Sequence, residues 1–275
     1  MARLTRKRFG QHFLEPAWAD KLVAAIDPRP TDRFVEIGPG PGALTRRLAP
    51  RVAHLTAVEV DRDLAAALRP QLPAHVELID ADFLELDLAP LLADGSLRVA
   101  GNLPYNISSP ILFRLIDLYR WSVSDERQAG VLLDATVMLQ REVAERLEAE
   151  PGTRDYGVLA ISVQLYADVR RVLTLPPGAF RPPPQVHSAV VRLGFRPPDV
   201  VLRDEAVFDA MVRSMFTQRR KTIGNSLAPF ARSLGAEARE ALRAVGLDDG
   251  RRAETLQLTE LARLANHFAA ARTPN

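Results

Sequence analysis

Residues 35–45 read VEIGPGPGALT. An apolar strand signal over Phe34–Ile37 runs into glycines 38, 40 and 42, and a helix signal over Ala43–Leu48 follows. Glycine permits tight turns and lets backbone approach a ligand closely, and in α/β folds ligands bind at the carboxyl ends of strands. The prolines narrow the choice. Pro39 and Pro41 carry no backbone N–H, whereas a phosphate cradle is made of such donors. No Lys-Ser/Thr pair follows, as a triphosphate site requires. The loop therefore suits an uncharged or cationic part of a nucleoside ligand, and S-adenosylmethionine fits better than NAD or ATP. A plain turn is the alternative.

Outward from this loop, strand and helix signals alternate at short spacing. Pro16–Ile26 fits a helix with proline in its first turn. His54–Val58 is a second strand, and Asp61 can cap a helix over Arg62–Leu68. Val76–Ile79, Leu97–Ala100 and Val131–Met138 are further strands, the last followed by a helix over Arg141–Glu150. Such alternation predicts a parallel sheet flanked by helices. Between Tyr156 and Arg196 lie one helix and two strand-like runs that can pair antiparallel at the sheet edge. From about residue 200 the pattern is helical: Glu205–Phe216, Thr222–Leu227, Ala236–Val245 and Thr259–Ala271. The expected architecture is a Rossmann-like α/β domain over residues 1–198, mostly parallel with an antiparallel edge. A small all-α domain over residues 199–275 completes it.

Glu59 closes the second strand, about 20 residues beyond the glycine loop, where an acid grips a ribose diol in dinucleotide folds. After the third strand, Asp80 and Asp82 can accept from an adenine amino group or cap a turn; Asp82 is preferred. The fourth strand ends in GNLPYNIS, residues 101–108. An exocyclic adenine amine is a poor nucleophile because its lone pair is conjugated with the ring. Two acceptors facing its N–H groups favour a pyramidal nitrogen with a localised lone pair. Asn102 supplies a side-chain carbonyl, and Leu103 a backbone carbonyl that Pro104 holds extended. Tyr105 can stack on the base. Phe180, ahead of Arg181 and three prolines, is a candidate for the opposite face, with core packing as its alternative. His187 has no partner in a recognisable arrangement and reads as structural.

Composition sets the bounds. The chain has 275 residues, no cysteine and a formal net charge of +2. Disulfides, zinc–cysteine sites and thiol catalysis are excluded, and the histidines lack metal-ligand spacing, so no metal is expected. No uncharged run approaches the ~20 residues of a membrane span, so a cytoplasmic protein is expected; a monomer is the accompanying expectation. Charge is unevenly placed: residues 1–14 hold Arg3, Arg6, Lys7 and Arg8 without an acid. Residues 211–232 hold Arg213, Arg219, Arg220, Lys221 and Arg232, again without one. Basic segments on a nearly neutral chain point to a polyanionic partner, with solvated helix faces as the alternative.

In this setting the chain resembles the ribosomal RNA small-subunit adenine dimethyltransferases. The likeness rests on KRFGQHFL (7–14), VEIGPGPGALT (35–45), AVEVD (57–61), GNLPYNIS (101–108), FRPPPQVHSAVV (180–191) and FTQRRKTIGNSL (216–227). It implies methyl transfer from S-adenosylmethionine to N6 of two adjacent adenosines in the 3′-terminal hairpin of 16S rRNA, as small-subunit rRNA or on a 30S pre-ribosomal subunit. It places the donor against Gln11, His12, Leu14, Gly38, Gly40, Glu59, Asp82 and Asn102. The target adenine falls among Asn102, Leu103, Pro104, Tyr105 and Phe180, and Arg6, Lys7, Arg8, Arg219, Arg220 and Lys221 fall on RNA. The family often has asparagine where His12 stands. A sister enzyme acting on large-subunit RNA or DNA, or an assembly factor without turnover, are the rival readings. DNA amino-methylases usually carry an acid at the position of Asn102.

Overall fold

The computed structural model describes residues 12–124 and 130–272. In chain order it runs β1 (Phe13–Leu14), α1 (Pro16–Ile26), β2 (Arg33–Ile37), α2 (Thr45–Leu48), β3 (His54–Glu59), α3 (Arg62–Leu68), β4 (Val76–Asp80), α4 (Ala89–Leu92), β5 (Leu97–Asn102), α5 (Ser108–Ser124), β6 (Leu132–Gln140) and α6 (Arg141–Leu147). Then come α7 (Val158–Tyr166), β7 (Ala167–Leu175), β8 (Phe180–Arg181), β9 (Ser188–Phe195), α8 (Glu205–Phe216), α9 (Ile223–Ser226), α10 (Ala228–Ser233), α11 (Ala238–Ala244) and α12 (Leu258–Arg272).

Among the described residues, seven strands form one sheet in the order β4-β3-β2-β5-β6-β9-β7. β4 through β6 are parallel, and β9 is antiparallel to both its neighbours. The inner strands are largely apolar, as strands covered on both faces are: Phe34, Val35 and Ile37 of β2 and Ala135, Val137, Met138 and Leu139 of β6 are buried. Leu22, Val23 and Ile26 of α1 join Phe34, Leu55, Leu175 and Val190 in the principal core. Each such side chain contributes roughly 1.5–3 kcal/mol.

β2 lies between β3 and β5, so the chain reverses its winding direction there. The crevice above such a reversal is where open α/β sheets bind ligands. Gly101 lets the two strands approach: a Cβ there would lie 2.6 Å from the Ile37 carbonyl oxygen. At the opposite, amino-terminal edge, the buried Arg98 guanidinium fastens the sheet. It meets Asp32 at 2.6 Å and Asp134 at 3.0 Å, and donates to the Ile26 and Asp27 carbonyls. Arg192 adds a second cation on Asp134 at 2.7 Å.

The chain divides into two compact units, one reaching to Ala144 together with Ala167–Arg196, the other combining Glu145–Tyr166 with everything from Pro197 on. The sequence alone suggests one cut near residue 198. The second cut arises at α7, whose sequence VLAISVQLY is apolar on nearly every side and buries Ala160, Ile161, Val163 and Leu165. A helix of that kind needs cover all round, and α8 supplies part of it within the second unit.

Candidate active site

The carboxyl ends of β2, β3, β4 and β5, with β1 laid beside them, enclose a cavity of about 300 Å³. Its floor is the glycine loop. Gly38 and Gly40 adopt φ of 65° and 54°, which a side chain disfavours. The donors of this loop are all committed. Gly38 N–H bonds Val58 O (2.9 Å), Gly40 N–H bonds Glu59 Oε2 (2.9 Å) and Gly42 N–H bonds Pro39 O (2.9 Å). Pro39 and Pro41 have none to offer. From 38 to 42 no N–H is left to cradle a phosphate.

Three acids line the cavity, Glu36, Glu59 and Asp82, with no lysine or arginine among its described lining residues. Glu59 is buried at the end of β3. Burial raises its pKa, opposed by the N–H groups of Asp61 and Gly40 that bond its two oxygens. Each carboxylate oxygen accepts more than one hydrogen bond, so both keep capacity toward a ligand. Asp82 uses Oδ1 to accept from Leu84 N–H (2.9 Å) while lining the cavity; Asp80 is instead paired with Arg69 at 2.7 Å. Glu36, on β2, is 1% exposed, and its Oε2 has no hydrogen-bond partner among the described residues.

The tip of β5 supplies the remaining wall. Asn102 Nδ2 donates to the His12 carbonyl at 2.7 Å. Because that partner can only accept, the amide orientation is fixed, and Oδ1 remains as an acceptor at the cavity wall. Leu103 N–H bonds Met138 O, while its own carbonyl takes no hydrogen bond from another described residue. Tyr105 is held from two sides: its hydroxyl meets Ser188 Oγ at 2.6 Å, and its ring stacks on His12 with centroids 5.7 Å apart. Burial raises the Tyr105 pKa, keeping the phenol protonated.

β1 closes the cavity as a short strap. Phe13 and Leu14 pair antiparallel with Arg181 and Phe180 of β8. His12 reaches Pro182 O through Nδ1 at 2.7 Å. The Phe13 ring lies where a Cβ on Gly40 would come within 3.1 Å, so a side chain at 40 would lift the strap.

The cavity thus gathers His12, Leu14, Gly38, Gly40, Glu59, Asp82, Asn102, Leu103, Pro104 and Tyr105. Gln11, Arg6, Lys7 and Arg8 lie outside the described residues. Phe180 requires a correction. It does not line the cavity; its ring is 2% exposed and packed in the core with Leu14, Leu175, Ala179 and Val190. Pairing of β8 with β1 places Phe180 opposite Leu14, and burying a ring there outweighs holding it exposed.

Arg219 is exposed yet engaged within the protein. Its guanidinium donates to the carbonyls of Arg154 (2.6 Å) and Tyr156 (2.9 Å), bracing the turn before α7. Arg220 and Lys221 are exposed and have no ion-pair partner among the described residues. Sequence reasoning leaves out Glu36 and Ser188. The signal for Glu36 is a lone acid inside an otherwise apolar strand. Ser188 opens β9 in the motif that holds Phe180, with nothing to mark its reach to Tyr105.

A sequence model described as Ribosomal RNA adenine dimethylase matches residues 2–270. The protein is 44% identical over 263 residues to Ribosomal RNA small subunit methyltransferase A of Syntrophotalea carbinolica, covering 94% of this chain and 95% of that one. It is 45% identical over 269 residues to the protein of the same name from Methylibium petroleiphilum, covering 96% and 97%. Among solved structures, a dimethyladenosine transferase from Plasmodium falciparum superposes with a TM-score of 0.70 at 23% identity, covering 92% of this chain and 96% of that one. The 23S rRNA methyltransferase ErmE superposes with a TM-score of 0.64 at 27% identity, covering 93% and 99%.

Proposed function

The chain belongs to the ribosomal RNA adenine dimethylase family, and from that premise we propose that it dimethylates N6 of two adjacent adenosines in the 3′-terminal hairpin of small-subunit rRNA. The acceptor is an assembling 30S subunit, and the enzyme acts as a monomer in the cytoplasm. The observation that carries the reading is the fixed amide of Asn102. With Nδ2 bonded to His12 O, Oδ1 is left as an acceptor, and Asn102 and Leu103 both line the acid-lined cavity.

The residues fit S-adenosylmethionine as donor, which when bound supplies an electrophilic methyl group. Glu59 takes the ribose hydroxyls and Asp82 the adenine amino group. The glycine loop, stripped of donors, accommodates a group without phosphate. Asn102 Oδ1 and Leu103 O receive the two N–H groups of the target amine and localise its lone pair. Pro104 keeps the Leu103 carbonyl in place, and Tyr105, tethered to Ser188, offers its ring to the base. No side chain is needed as a base in the attack, because the amine becomes acidic once it carries the methyl. Rate enhancement then comes from positioning and from acceptors set before the substrate arrives.

The test is incubation of undermethylated small subunits with labelled S-adenosylmethionine, followed by nucleoside analysis. The expected product is N6,N6-dimethyladenosine at two neighbouring positions of the 3′-terminal hairpin. Label confined to large-subunit RNA, or absent, would overturn the assignment.

A further inference from the structure

Glu36 has no task in the transfer as described, yet its environment is unusual. It sits on β2, lines the cavity and leaves Oε2 buried without a partner among the described residues. An ionised carboxylate so placed costs several kcal/mol unless a positive charge meets it (~3–5 when a buried pair loses its partner).

Burial and the acid on β3 disfavour ionisation, while the groups on α2 favour it. From β3 comes Glu59, a second negative charge, while the strand register sets Ala57 and Ala100 beside Glu36 on either side. From α2 come Thr45, whose hydroxyl and backbone N–H face the carboxyl and favour its charged form, and Arg46, whose guanidinium is engaged with Pro41 O and Gln71 Oε1. Burial, with Glu59 behind it, outweighs Thr45 and Arg46 and pushes the Glu36 carboxyl up to about 8. A carboxyl in this condition is neutral near pH 7 while no cation faces it.

We propose that Glu36 gives up its proton to meet the positive charge of the methyl donor, so that donor uptake releases a proton and the site favours cationic ligands. The inference rests on the donor assigned under the proposed function. S-adenosylmethionine carries a sulfonium and an ammonium; the demethylated product, S-adenosylhomocysteine, keeps only the ammonium.

The experiment is titration calorimetry of the wild-type protein and Glu36→Gln with S-adenosylmethionine from pH 6 to 8.5. Each point is run in buffers of different ionisation heat, so that proton release is read directly. The donor's own amino group titrates near ~8, so the readout is the difference between the two proteins. The expected result is that wild type releases close to one proton more than the variant at pH 7. The affinities should converge toward pH 6, and wild type should gain up to about tenfold per pH unit above it.

With S-adenosylhomocysteine, persistence of the difference assigns the ammonium as the partner, and its loss assigns the sulfonium. Equal proton release and parallel affinity curves for the two proteins would overturn the proposal while leaving the proposed function intact. Failure of wild type to bind the donor at any pH would overturn both. Should Glu36→Gln not fold, infrared difference spectra of wild type decide: the band of a protonated carboxyl must disappear when the donor is added, and an unchanged band refutes the idea.

Discussion

Two substitutions at Asn102 separate the two jobs assigned to its amide. Asn102→Ala removes both the acceptor Oδ1 and the 2.7 Å bond from Nδ2 to the His12 carbonyl. Loss of one preorganised group at a reacting centre costs roughly 10²–10³ in kcat, whereas the lost bond to the strap is worth only about 1 kcal/mol. Asn102→Asp keeps an acceptor toward the amine but sets a second oxygen against His12 O, leaving that carbonyl unpaired at a cost of about 1–3 kcal/mol. In single-turnover assays with saturating RNA and donor, kcat should fall in the order wild type, Asp, Ala. In thermal melts the order changes: wild type highest, then Ala, then Asp, because Asp actively repels the strap. The RNA affinity of all three should agree within about threefold, since phosphate contacts made elsewhere dominate it. Asn102→Ala with kcat within threefold of wild type, or Asp slower than Ala, would refute the role given to Oδ1.

Arg98→Met takes the cation from Asp32 and leaves Asp134 with Arg192 alone at the sheet's amino-terminal edge; a loss of about 3–5 kcal/mol is expected in denaturant melts, with donor affinity of the surviving folded protein unchanged. Ser188→Ala frees the Tyr105 hydroxyl. It should raise KM for RNA a few-fold while shifting the melting midpoint little, as the loss of one hydrogen bond of about 1 kcal/mol implies. Because the folded Glu36 carboxyl lies above its ordinary range, the folded state binds the extra proton. Stability is full below about pH 4.5 and is lost as pH rises through about 8. Glu36→Gln should therefore melt higher than wild type at pH 9 and match it at pH 5, when no donor is present. Arg220→Ala with Lys221→Ala should reduce the salt slope of RNA binding by up to about two. Arg219→Ala should instead lower stability, since its donors hold the Arg154 and Tyr156 carbonyls.

Much of this was legible in the residues because the central strands are apolar runs ended by glycine, proline or an acid. Pro16–Ile26, Arg62–Leu68 and Glu205–Phe216 match their helices at both ends, each with a clear start: Pro16, or the side chains of Asp61 and Asp204 bonded to the first turn. Strand ends were harder. Pairing continues through Glu59, Asp80 and Asn102, polar residues that a hydrophobic pattern excludes, although Glu59 and Asn102 line the site. The helix Ser108–Ser124 is absent from the predicted elements because it starts within a motif whose proline, Pro110, reads as a break. In fact Pro110 occupies the first turn, where its missing N–H costs nothing. The pairing of β1 with β8 joins two-residue strands far apart in the chain, and no periodicity announces it. Phe180 illustrates the limit of pattern: an aromatic beside prolines is equally suited to clamp a base or fill a core, and only its neighbours decide.

The strap has a temporal side. His12 meets Pro182 across 170 positions, and Leu14 pairs with Phe180, so residues 12–14 find their place only after most of the first unit has been synthesised. Nascent chains fold largely from the amino end as they emerge, yet here residues 12–14 must wait for β8 to leave the exit tunnel. Until then Asn102 lacks the carbonyl that orients its amide. A protein that methylates ribosomal RNA therefore gains its finished pocket only late in its own translation.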